Sequence, residues 1–113
     1  MLVSGMNTSD PIDIVRHFAS AIRNGRTLHD ISRHLEGEHM ELKEELYLID
    51  EGKSPGPDGV VGESVDIIAC ALDAIFVHAP QTTNEQICAI LLRKCEKWAR
   101  RYGASVDGDR SID

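Results

Sequence analysis

A chain of 113 residues has the length of one domain and buries roughly 65% of its unfolded surface on folding, so a single core is expected. Its hydrophobic share of 42% and charged share of 27% are ordinary for a globular protein, while 4% aromatic residues exclude a large aromatic pocket. A formal net charge of -7 excludes a broad nucleic-acid footprint, which needs surface Lys and Arg, and suits a concentrated acidic site that recruits a cation. Cys70, Cys88 and Cys95 are odd in number, lack Cys-x-x-Cys spacing and lie in apolar helical contexts, so they are read as reduced core residues. With neither a signal-like start nor an apolar run of spanning length, the expected location is cytoplasmic.

In chain order, residues 1–8 read as a flexible leader. Ser9-Asp10-Pro11 then gives a helix start, and Ile14, Val15, Phe18, Ala19 and Ile22 recur at helical spacing to about residue 23, where Asn24-Gly25 stops the helix. Thr27-Leu28-His29-Asp30 is a capping box with Asp in place of Glu, opening a helix that runs to about residue 50. Gly and Pro make residues 51–59 a loop. A third helix, apolar nearly all round, covers residues 61–78. After Pro80, Thr82-Thr83-Asn84-Glu85 reads as a second capping box for a helix ending at Tyr102, closed by Gly103. The expectation is one all-α domain of four helices over residues 9–103, with a polar tail over 104–113.

The functional interest lies in the acids. On the second helix Glu38, Glu41 and Glu45 fall within about 60° of arc and border the stripe of Ile31, Leu35, Leu42, Leu46 and Ile49, so Glu38 and Glu45 are expected at the rim of the core. The next helix brings Glu63 and Asp66. An acid at Glu63 also suits a helix start, but Asp66 stands amid Val65, Ile67 and Ile68, where a carboxylate needs a metal or a cationic partner. Because Glu41 lies well before the end of its helix and Glu63 near the start of the next, the pairs meet only if the connecting loop climbs back along the second helix. Glu41 and Glu44 offer an alternative register; Glu44 rotates away from the stripe, and Glu38 with Glu41 is preferred. His34, one turn before Glu38, reads as a support for it or as plain surface, with surface preferred.

Glu38-x-x-Glu41-Leu42 followed by Glu63-x-x-Asp66 resembles the MazG-like all-α nucleoside triphosphate pyrophosphatases, from about the first helix to Tyr102. In that family the two acidic pairs hold Mg²⁺, with Mn²⁺ as a substitute. The resemblance implies a four-helix bundle assembled as a homodimer or dimer of dimers, with Glu38, Glu41, Glu63 and Asp66 as metal ligands and Glu41 and Glu38 as catalytic groups. It further implies hydrolysis between the α- and β-phosphates of a nucleoside triphosphate to a monophosphate and pyrophosphate. Lys94, Lys97 and Arg101 match the basic ending of the family's last core helix and would bind substrate phosphates, although Trp98 replaces the family's Asn. Glu45 and Asp73 are candidate additional contacts; for Asp73 an ion pair is the preferred alternative. Neither nucleic acid nor membrane is expected as a partner.

Three other readings stay open. A phosphoribosyl-ATP pyrophosphohydrolase-like enzyme shares the all-α pattern. A non-enzymatic helical interaction protein would present the acids as a binding face. A ferritin-like di-iron bundle would use the Glu36–His39 spacing, but it needs a second Glu-x-x-His that the sequence lacks.

Overall fold

The computed structural model describes residues 5–103, which form α1 (Pro11–Ala21), α2 (Leu28–Asp50), α3 (Gly59–His78) and α4 (Asn84–Arg101), with no strand among the described residues. Side-chain capping starts three of these helices. The Asp10 carboxylate accepts from the Ile12 N–H, and Pro11 occupies the first turn, where its missing N–H costs nothing. Thr27 and Asp30 form the reciprocal capping box of α2 as expected. The box of α4 lies one residue later than predicted: Thr83 is the N-cap and Gln86, not Glu85, returns to its N–H at 2.8 Å. Both registers satisfy the spacing rule, and the second places the side-chain amide in the returning role.

α3 differs, because Asp58 makes no side-chain capping bond. It opens instead on Gly59 at φ +66, a left-handed conformation that turns the loop into the helix axis and begins α3 two residues before the predicted position.

One domain over residues 9–103 is the expectation, but the chain divides into two compact units between Gln81 and Thr82. Ala79 and Pro80 end α3, and five residues, 79–83, separate it from α4. In the first unit α3 packs against both α1 and α2, and the buried apolar residues are Ile31 from α2 with Cys70, Leu72 and Phe76 from α3. Arg26, between α1 and α2, ties all three helices. Its Nε and Nη2 donate to Asp73 at 2.8 and 2.7 Å, and its Nη1 and Nη2 donate to the otherwise unpaired end carbonyls of Ile22 and Ala19.

The second unit contains α4, ending at Tyr102 and at Gly103 with φ +79. Ile87 is buried, but Leu91, Cys95 and Trp98 of the predicted apolar stripe are exposed, as is Cys88; of the cysteines only Cys70 is a core residue. The stripe on α2 divides similarly: Ile31 is buried, whereas Leu46 and Ile49 are exposed. Of the leader, Asn7 donates its N–H to Asp13 at 2.6 Å; residues 1–4 and the predicted tail at 104–113 lie outside the described residues. No helix among the described residues is long and apolar enough to cross a membrane.

Candidate metal centre

α2 and α3 run antiparallel, and their facing side chains pair in opposite order along the two helices. His34 meets Cys70, Glu38 faces Asp66, and Glu41 faces Glu63. One carboxylate oxygen from each of Glu38, Glu41, Glu63 and Asp66 lies within 4.8 Å of the corresponding oxygens of the other three. Convergence depends on the loop climbing back: Gly56 reaches Glu45, a little over one turn before the end of α2, and Glu63 is the fifth residue of α3.

The four acids differ in environment. Glu63 is 7% exposed, Glu38 and Asp66 are half-buried, and Glu41 faces solvent. Burial, followed by the charge of Glu41 and that of Asp58, pushes the Glu63 carboxyl up to about 7. Glu38 is likewise raised above the ordinary carboxylate range, first by burial and then by Asp66 and Glu41. Glu38 Oε2 and Glu63 Oε1 are buried with no protein hydrogen-bond partner. Two orphaned acceptors in a cluster of like charge are a standing cost that a cation removes. A donor set made only of carboxylate oxygens fits a hard divalent ion such as Mg²⁺, Mn²⁺ or Ca²⁺.

His34 belongs to the site. Its Nε2 stands 3.1 Å from Glu38 Oε1 and its Nδ1 3.5 Å from the Cys70 sulfur, so it orients one ligand from α2 while touching α3. Its side chain is still 67% exposed, so the surface reading holds alongside the supporting one, which the i, i+4 spacing to Glu38 signalled. Beyond His34 lies a pocket of about 310 Å³, lined by Val15, Phe18 and Ile22 of α1 and by Cys70 and Asp73 of α3.

Two candidate ligands are placed elsewhere. Glu45 is 5% exposed, inside the fold and not at its rim, and both its oxygens accept from the Gly56 N–H at 3.1 Å. Asp73 spends both oxygens on Arg26. Neither joins the four-carboxylate group. Lys94, Lys97 and Arg101 are exposed on α4, in the second unit. Glu44, exposed like Glu41, is not in the four-carboxylate group. Comparison of the chain with known protein families, with curated proteins and with solved structures finds no match.

Proposed function

We propose that the chain is a Mg²⁺-dependent nucleoside triphosphate pyrophosphohydrolase of the MazG-like all-α kind, cleaving between the α- and β-phosphates to give a nucleoside monophosphate and pyrophosphate. The observation carrying this reading is the convergence of Glu38, Glu41, Glu63 and Asp66, with two buried oxygens unpartnered. Bound there, Mg²⁺ would supply Lewis-acid polarisation of phosphate oxygens and a lowered pKa for coordinated water.

The chain's own groups divide the remaining work. Glu63, Glu38 and Asp66 form the sheltered part of the ligand set, and His34 fixes the rotamer of Glu38. Glu41, the exposed member, is the proton acceptor for the attacking water because it is open to solvent while facing the other three. The apolar pocket beyond His34 is suited to the flat face of a base. For Lys94, Lys97 and Arg101, the role of binding the outer phosphates rests on the sequence pattern alone.

The assembly proposed is a homodimer or dimer of dimers. Val61, Val65 and Ile68, at helical spacing on α3, are 77%, 53% and 49% exposed, an apolar stripe that a second copy would cover.

A product assay with Mg²⁺ over the ribo- and deoxyribonucleoside triphosphates tests the activity. Monophosphate and pyrophosphate in equal amounts are expected. Diphosphate with orthophosphate would refute the bond assignment, and the absence of turnover across the set would refute the enzyme.

A further inference from the structure

Glu45 is a buried carboxylate outside the metal cluster, and its partner lies in the loop that sets where α3 begins. That loop has few ways of being held. Its first residues are fastened to α2 by backbone bonds: Glu51 to Tyr47, Gly52 to Ile49 and Lys53 to Leu48. Further on comes Pro55-Gly56-Pro57, where neither proline has an N–H, so Gly56 offers the only amide donor of the three. That N–H points at Glu45, 3.1 Å from each carboxylate oxygen. The approach is close: a Cβ at position 56 would stand 2.3 Å from Glu45 Oε2, so a larger residue there would push the carboxylate end out of this two-oxygen contact. The flanking prolines hold the tripeptide extended, which limits the entropy lost in docking it.

We propose that Glu45 is a positioning residue for the metal centre: by clasping the Gly56 amide it fixes the register in which α3 returns along α2, so that Glu63 faces Glu41 and Asp66 faces Glu38. This rests on reading the four carboxylates as a cation site. Glu45 follows Glu41 by one turn, and the clasp extends the antiparallel series of His34 with Cys70, Glu38 with Asp66 and Glu41 with Glu63. The acids themselves cannot set this register, since like charges repel wherever they meet. A neutral acceptor can replace Glu45 in this role, whereas a metal ligand would need its charge.

The test uses the full chain with Glu45→Gln, Glu45→Ala and Gly56→Ala, reading Mg²⁺ affinity by calorimetry and amide exchange at Gly56 and through the first turn of α3. Glu45→Gln retains an acceptor oxygen and should bind Mg²⁺ within about threefold of wild type. Glu45→Ala and Gly56→Ala should each weaken binding by roughly 10- to 100-fold, the usual effect of losing a group that orients ligands. The Gly56 amide should exchange slowly in wild type and Glu45→Gln. In Glu45→Ala it should exchange fast, together with the first turn of α3. If Glu45→Gln loses Mg²⁺ as fully as Glu41→Gln, Glu45 is a ligand and the proposal fails. It also fails if Glu45→Ala binds within twofold of wild type. A wild type that binds no Mg²⁺ would overturn the cation site and leave exchange to decide the clasp: fast exchange at Gly56 in wild type refutes it, and slow exchange lost in Glu45→Ala supports it.

Discussion

Glu63 is under two opposing demands. Burial and the charges of Glu41 and Asp58 hold its folded carboxyl near 7, above the ordinary value of 4.5. A group whose folded pKa is raised adds stability that is fully present below the unfolded pKa and lost as pH rises through the folded one. Metal-free protein should therefore lose stability relative to Glu63→Gln between about pH 4.5 and pH 8, and the two melting curves should draw level or cross as pH rises. Melts in chelator across that range measure the effect; a difference that does not vary with pH would contradict the charge environment assigned to Glu63. The sequence made the identity of the four acids legible through two Glu/Asp pairs at three-residue spacing. It could not rank their burial, because Glu63 sits at a helix start, where an acid is favourable in water as well. His34 was hard to weigh for a similar reason: an i, i+4 His–Glu pair occurs on many solvated helices, and only the Cys70 contact from α3 shows that this exposed ring also touches the neighbouring helix.

At the scale of elements, Arg26 is the fastening between α1, α2 and α3. Arg26→Ala removes a bidentate ion pair and two carbonyl contacts at the end of α1, leaving Asp73 half-buried without its cation. A loss of about 2 kcal/mol is expected, between the values for exposed and fully buried pairs. Asp73→Asn should cost less, since its amide oxygen still accepts, and chemical denaturation of the two variants beside wild type checks the order. Equal and negligible losses would mean that the helices are held by apolar packing alone. The four helices were legible because their caps are local chemistry: Asp10 with Pro11, and Thr27 with Asp30, announce their helices without tertiary help. Two features were not. The α4 box has two overlapping solutions, Thr82 with Glu85 or Thr83 with Gln86. The long-range partners of Glu45 and Asp73 depend on a loop path and a linker that periodicity does not encode.

For the whole molecule, the burial pattern separates residues that hold the fold from apolar residues that stay exposed. Leu72 and Phe76, on the helix that the sequence makes apolar nearly all round, are buried within the chain, so charged substitutions there should unfold it. In the proposed assembly a second copy would cover the exposed Val61, Val65 and Ile68 stripe. Val65→Glu should therefore convert an oligomer to a monomer while retaining helix content, as read by light scattering and circular dichroism. Wild-type protein that scatters as a monomer at micromolar concentration would contradict the proposed assembly.

The cation site itself is tested most directly by the melting shift that Mg²⁺ produces. An ion bound only by the folded chain stabilises it by about 2.7 kcal/mol at a hundredfold excess over Kd, a shift on the order of 10 °C for a domain of this size. Glu41→Gln and Asp66→Asn each remove one charge from a repelling cluster, so their metal-free melting should equal or exceed that of wild type while most of the Mg²⁺ shift disappears. Both should also lose turnover by about a hundredfold or more. Glu44→Gln, exposed on α2, should match wild type throughout. The decisive measurement is thus a thermal melt of wild type, Glu41→Gln, Asp66→Asn and Glu44→Gln, each with chelator and with millimolar Mg²⁺. A large Mg²⁺ shift in wild type and Glu44→Gln, absent from the other two, is the predicted result; a shift of wild-type size in Glu41→Gln and Asp66→Asn would contradict the four-carboxylate centre.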